Sequence, residues 1–150
     1  MKDTELIARK LIDCFNRGGK VIVIGNGGSA AMASHLVGEL VGKFELKRKP
    51  LPAITLFDLA TMTAIANDDS YENIFLRPLG ALGKLGDILV VISTSGNSKN
   101  CLRSITQAKL MGLEAIDWPR SGESTAETQE IQLVEIHEVC RLIDKEFHEN

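Results

Sequence analysis

Ser93, Thr94, Ser95 and Ser98 place four hydroxyl side chains within six residues around Gly96, directly after the uncharged β-branched run at residues 88–92. Such a run reads as a strand covered on both faces, as in a parallel sheet. A loop and then a helix over about residues 99–111 follow it. The first backbone N–H groups of a helix are unpaired and partly positive, so hydroxyls gathered there form a small anion cradle that needs no lysine. Phosphate is the fitting guest. A helix cap alone would use one hydroxyl, Ser95 or Ser98, and four exceed that need.

A second pair of chemical groups, His35 and Glu39, stands one turn apart on a helix predicted over about residues 29–44. Imidazole and carboxylate at that spacing can converge on one metal ion or one substrate. Ala33, Leu36, Val37, Leu40, Val41 and Phe44 follow the helical apolar spacing and are expected to face the sheet. His35 and Glu39 project from the other side, among Ala31, Ser34, Gly38 and Gly42 in place of long charged residues. Glycine inside a helix costs about 1 kcal/mol relative to alanine, so another helix or a ligand is expected on that face. An ordinary surface i, i+4 pair is the alternative, and the small neighbours weigh against it.

The preceding strand-to-helix turn, Gly25-Asn26-Gly27-Gly28-Ser29, is also built for close backbone approach. Two specialised loops point to a ligand between them. Gly25, Gly27 and Ala30 alone also fit a loose dinucleotide fingerprint, but Asp58 lies beyond the usual spacing of roughly 20 residues for a ribose contact. Near the end of the chain, Leu133, Ile136, Cys140, Ile143 and Phe147 alternate steps of three and four, a packed helix seam. Ile131, Val134, Val139 and Leu142 lie outside it, so burial on more than one side, as in a bundle between subunits, is expected. His137 sits near this seam with Gln129 and Glu130. Helical geometry aligns Glu130 with His137 better than Gln129, and the pattern leaves the choice open.

Positioning these groups requires an alternation of helix and strand, the pattern of a parallel α/β sheet. Ile7, Leu11, Cys14 and Phe15 mark an opening helix ended by Gly18-Gly19, with strands over residues 20–25, 53–57, 88–92 and 113–117. Helical segments are expected over residues 60–66 and 72–82, and a final helix over residues 125–147. The 150 residues are 44% hydrophobic and 25% charged, which suits one compact domain over residues 1–150. A net charge of -3 offers no broad surface for nucleic acid. The basic cluster Lys43, Lys47, Arg48 and Lys49 reads as a solvated loop. Cys14, Cys101 and Cys140 lack ligand spacing and read as reduced thiols, and no stretch suggests a membrane span or signal peptide. A cytoplasmic protein without nucleic-acid or membrane partners is expected.

The stretches GNGGSAAMASHLVGEL, TAIANDDSYE, LGDILVVISTSGNS and TQEIQLVEIHEVCRLI together resemble the sugar isomerase (SIS) domain of the phosphoheptose isomerase family. The resemblance covers most of the chain. It implies a three-layer αβα sandwich with a central parallel sheet, subunits packed through a helical bundle, and a homo-oligomer, a tetramer. The implied activity is aldose–ketose isomerisation of sedoheptulose 7-phosphate to D-glycero-D-manno-heptose 7-phosphate, a step of lipopolysaccharide heptose synthesis. By the same resemblance Ser93, Thr94, Ser95 and Ser98 hold the phosphate, while Asn26, Gly27, Gly28, Asn67, Asp68 and Gln129 contact substrate. Glu39 matches the base and His137 the acid, brought together by helices of adjoining chains. His35, Glu39, Gln129 and His137 match a zinc site, and Glu39 ranks as base before ligand.

Two departures from the family pattern stand out. A longer N-terminal helical segment that contributes to the subunit bundle is missing, and so is a turn and strand between residues 118–122 and Thr125. A shortened domain with a smaller sheet, or a sequence lacking those residues, is expected. Ala126 and Glu127 also differ from the polar or basic residues of the family. A related non-catalytic SIS regulator that binds the replication initiator protein is the rival reading, and Glu39 argues against it.

Overall fold

The computed structural model describes residues 1–149, which form four strands and six helices. The strands β1 (Val21–Ile24), β2 (Ala53–Thr55), β3 (Ile88–Val91) and β4 (Glu114–Asp117) make one parallel sheet in the order β2-β1-β3-β4. Val21 pairs with Ala53 on one side and with Ile88 on the other, and Ile88 pairs with Glu114. Both central strands are buried along their full length, as a sheet covered on both faces demands.

Side chains alternate across a strand, and here the alternation divides the core. Val21, Val23, Ile88 and Val90 face α1 (Asp3–Asn16), α2 (Gly28–Val41) and α6 (Thr125–Phe147), where Leu11, Leu36, Leu40, Ile136, Val139 and Ile143 meet them. Ile22, Ile24, Leu89 and Val91 face α3 (Leu59–Asp68), α4 (Leu76–Leu82) and α5 (Lys99–Leu110), against Ile65, Phe75, Leu79, Cys101 and Ala108. Each such side chain removed from water contributes about 1.5–3 kcal/mol. This is the expected αβα sandwich with its parallel sheet. The three thiols are free and buried.

Several local expectations shift. The α2 helix stops at Val41, so Phe44 lies beyond it, and Val41 is exposed instead of facing the sheet. The helix expected over residues 72–82 divides into a 3-10 turn, Tyr71–Asn73, and α4. In α6 the buried stripe is Gln132, Ile136, Val139, Cys140, Ile143 and Asp144, whereas Leu133 turns outward. Within one chain the helix buries a single broad stripe.

The largest correction concerns Arg48. Far from lying in a solvated loop, its side chain is fully buried beside Asp144 of α6, with Arg48 Nε donating to Asp144 Oδ1 at 2.7 Å. Its Nη1 donates to Leu40 O at 3.0 Å and its Nη2 to Glu39 O at 2.6 Å, satisfying carbonyls at the end of α2. Asp144 Oδ2 accepts from the backbone N–H of Glu45 and of Leu46, at 2.7 and 2.8 Å.

At the other edge of the sheet, β4 passes straight into α6 through residues 118–124 without a further strand. Trp118 N donates to Val91 O at 2.8 Å, and the buried indole donates to Glu135 Oε2 at 2.9 Å. Ser124 caps α6 by accepting from Glu127 N.

Candidate active site

The two helices that bear the candidate acid and base pack against each other within one chain. His35 Nε2 lies 3.0 Å from His137 Nε2 and 3.4 Å from Glu39 Oε1. The expectation that adjoining chains would bring Glu39 and His137 together is therefore corrected. The crossover of α2 over β1 and the return of α6 lay both helices on one face of the sheet, sealed by Leu36, Leu40, Ile136 and Val139. His35 bridges the other two groups, and Glu39 makes no direct contact with His137. Phe44 stacks on the His137 ring, centroids 5.1 Å apart and planes at 27°. Arg141 lies over Phe44 at 5.6 Å and donates to Glu45 Oε1 at 3.0 Å.

Gln129, on the first turns of α6, lies over the start of α2. A Cβ added at Gly28 would stand 3.1 Å from Gln129 Cδ, so glycine is required there for the amide to approach. This contact couples the glycine turn after β1 to the helix of His137.

The hydroxyl loop occupies the carboxyl end of β3, where ligands bind in open α/β sheets. Ser98 is the N-cap residue of α5, yet its side chain makes no cap hydrogen bond. Ser93 Oγ accepts from Gly96 N at 3.0 Å and Ser95 Oγ from Asn97 N at 3.1 Å, so the loop is braced by its own hydroxyls. Thr94 is half-buried and Ser98 likewise. Asn26 joins this loop to the glycine turn through a reciprocal pair: its amide donates to Asn100 Oδ1 and accepts from Asn100 Nδ2, both at 2.9 Å. Tyr71 Oη donates to the same Asn26 oxygen at 3.0 Å. These residues, with Glu72, Ser98 and Lys99, line a cleft of about 410 Å³.

The remaining expected site residues do not line that cleft. Asn67 and Asp68 are exposed at the end of α3, where Asn67 Nδ2 donates to Asp68 Oδ1 at 3.0 Å. Gly27 takes φ of 56° at the N-cap of α2, in the left-handed region that glycine tolerates.

Two imidazole nitrogens facing each other at 3.0 Å share either the N–H proton of one neutral ring, donated to the lone pair of the other, or a metal ion. Zinc–nitrogen bonds of about 2.0–2.1 Å put neighbouring ligand nitrogens about 3.3 Å apart in a tetrahedral site, so the pair fits zinc with a small adjustment. Glu39 adds a carboxylate oxygen. Among the described residues no three His, Cys, Asp or Glu side chains already surround a single point, because the Glu39 to His137 side of the triangle is open. The thiols nearby are not nucleophiles. Burial, then Asp117, pushes Cys101 up to about 11, and burial, then Glu39 and Asp144, pushes Cys140 up to about 12.

Sequence reasoning missed Asn100, Tyr71, Phe44 and Gln132. Gln132 is fully buried, and its Nε2 donates to Ser93 O at 3.2 Å and to Pro119 O at 3.0 Å. Its signal was legible as an uncharged polar residue on the buried stripe of α6. The other three owe their roles to contacts between distant segments.

A parallel sheet with a hydroxyl loop after its third strand and a histidine–carboxylate pair on the helix after its first is the arrangement of an SIS domain. The SIS domain family model matches residues 2–117, ending with β4. A probable phosphoheptose isomerase of Thermoplasma acidophilum is 44% identical over 94% of this chain and 87% of its own length. The phosphoheptose isomerase of Campylobacter concisus is 39% identical over 95% and 85%. Among solved structures, a phosphoheptose isomerase from Francisella tularensis matches with TM-score 0.88 and 33% identity, over 95% of this chain and 85% of that one. Phosphoheptose isomerase GmhA from Neisseria gonorrhoeae gives 0.86 and 31% over the same shares. The chain belongs to the SIS-domain phosphoheptose isomerase family. The 158 positions aligned with the Thermoplasma protein exceed the 141 residues that 94% of 150 supplies, so about 17 positions of the alignment have no residue here.

Proposed function

We propose that the protein interconverts sedoheptulose 7-phosphate and D-glycero-D-manno-heptose 7-phosphate. The observation that supports this most directly is the meeting of His35, Glu39 and His137 across α2 and α6 of one chain. Aldose–ketose isomerisation needs a base, an acid and stabilisation of the enediolate between them. In this reading the phosphate sits in the cradle of Ser93, Thr94, Ser95 and Ser98, and Asn26, Gly27, Gly28, Asn67, Asp68 and Gln129 contact the sugar. Glu39 takes the proton from C1 of the ketose and returns it to C2. His137 gives a proton to the C2 oxygen and then, as the neutral imidazole, takes the proton from the C1 oxygen as the aldehyde forms, which restores the acid. His35, in contact with both groups, holds the carboxylate and the imidazole at a common site. The stack of Phe44 on His137 fixes the plane of that ring.

His35, Glu39, Gln129 and His137 would hold zinc in the same place. When bound, it supplies Lewis-acid polarisation of the substrate oxygens. A carboxylate bound to metal is a weaker base than a free one, so Glu39 ranks as base first. The reaction belongs in this reading to a cytoplasmic homotetramer acting in lipopolysaccharide heptose synthesis. The outward row Ala31, Ser34 and Gly38 of α2, continued by Gly42 at its end, with exposed Val134 of α6, supports close helix packing between copies.

The test is turnover of sedoheptulose 7-phosphate to an aldose, with and without a chelator. Glu39→Gln is expected to lower kcat by about 10²–10⁴-fold, the range of a lost acid–base group. Full turnover by that variant would remove the mechanism. No conversion by the native protein, together with tight binding of a replication initiator, would favour the regulator instead.

A further inference from the structure

The hydroxyl cradle has a shortage of both charge and donors. Residues 93–98 include no lysine or arginine. Two of the loop's N–H groups, those of Gly96 and Asn97, are already used by Ser93 and Ser95. Lys99, the next cation along the chain, pairs with Glu72 at 3.3 Å, and its side chain is 75% exposed.

The connection from β4 to α6 brings a different cation to this loop. A Cβ built on Gly96 would meet Arg120 Cζ at 2.8 Å and Nε and Nη2 at 2.9 Å, so the guanidinium lies against the loop where a side chain would otherwise be. Gly96 also takes φ of 68°, in the left-handed region that glycine tolerates. Arg120 Nη1 and Nη2 donate to Asp117 Oδ1 and Oδ2 at 2.6 and 2.7 Å, which fixes the fork. Gln132 ties the two loops together by donating to Ser93 O and to Pro119 O. Five guanidinium donors serve one carboxylate with two of them, and the others remain for an anion.

We propose that Arg120 is a phosphate-binding residue, its guanidinium engaging the phosphate monoester of the substrate beside Gly96. The assignment rests on the phosphosugar reading above and adds to the hydroxyl cradle a residue from the connection after β4. Arginine held by a carboxylate is pre-organised for a planar, bidentate grip on phosphate, so little ordering is required when the ligand arrives.

The experiment is calorimetric titration of the full chain with inorganic phosphate, alongside kcat and KM for sedoheptulose 7-phosphate. Arg120→Gln is expected to weaken phosphate binding about 10- to 100-fold, the loss of a charge-assisted hydrogen bond. KM should rise in step while kcat stays within about threefold, because the group acts on binding. Arg120→Lys, which keeps the charge and loses the fork, is expected to lie between the two. A dissociation constant for phosphate within twofold of the native value in Arg120→Gln overturns the assignment, as does a native protein that binds no phosphate. If Arg120→Gln does not fold, Arg120→Lys decides, and an unchanged affinity overturns the role of the fork. A native protein that binds phosphate but does not isomerise the heptose would refute the proposed reaction, leaving Arg120 to be judged by the titration.

Discussion

Replacing Arg48 with methionine keeps most of the side-chain volume and removes the guanidinium donors at the end of α2. The Asp144 carboxylate would keep its two backbone donors from Glu45 and Leu46 but lose its buried cation. The carbonyls of Glu39, Leu40 and Lys49 would lose their guanidinium donors together. Breaking one side of a buried pair costs about 3–5 kcal/mol, and the Glu39 and Lys49 carbonyls add to that cost, while Leu40 O keeps the N–H of Leu51. Since whole domains are stable by only about 5–15 kcal/mol, Arg48→Met should remove a large share of the folding free energy. At about 2–4 °C per kcal/mol for a chain of this size, the melting temperature should fall by roughly 6–20 °C.

Equilibrium urea unfolding measures the loss, and a double-mutant cycle with Asp144→Leu measures how much belongs to the pair. A coupling above about 2 kcal/mol is expected, because each single change strands a buried polar partner that the double change removes. A single-variant loss below about 1 kcal/mol, or a coupling near zero, would refute the reasoning. It would mean that Arg48 reaches water in solution and that the end of α2 is held by other contacts. Where the variant still folds, kcat should fall more than KM rises, since the loosened segment bears Glu39 and not the phosphate cradle.

Other consequences separate stability from chemistry. Gly28→Ala adds a Cβ that meets only the movable amide of Gln129, so unfolding free energy should change by less than about 1 kcal/mol while turnover falls; unchanged turnover would show that the position of Gln129 is immaterial. Asp87 sits at the start of β3; burial raises its pKa, but hydrogen bonds from the Lys20 side chain and the backbone of Lys20 and Lys84 outweigh that and hold it below the usual carboxylate value. A depressed folded pKa stabilises the protein above the unfolded value of about 3.9 and stops doing so as pH falls through the folded pKa. Asp87→Asn should therefore destabilise at neutral pH, with the difference in urea midpoint closing below about pH 4; a pH-independent difference would refute the assignment.

The apolar runs made the sheet legible, because fully buried parallel strands leave little choice of residue. Val21–Ile24 and Ile88–Val91 were readable on that ground, and the helical period identified α6 with its correct bounds. The hydroxyl loop was readable as well, since four hydroxyls at a strand end have few structural uses. Arg48 was misread because its neighbours Lys43, Lys47 and Lys49 make it look like part of a solvated run, and Asp144 lies 96 residues away. No local pattern records such a pair. The same holds for Asn26 and Asn100, whose amides meet across 74 residues.

The placement of the candidate acid and base follows from how α2 is held along α6. Near its start, Gly28 admits the Gln129 amide; in the middle, His35 meets His137; at its end, Arg48 links the carbonyls of Glu39 and Leu40 to Asp144. Along α6 these points fall at residues 129, 137 and 144, about two helical turns apart. The contacts progress in the same order along both helices, so α2 and α6 run parallel and present one continuous seam. The outer contacts fix the spacing, and the central one is left to two imidazoles and a carboxylate that meet at hydrogen-bond distance. Changes at either end should thus disturb the central geometry without removing a reacting group, and the Gly28 and Arg48 variants examine the two ends separately.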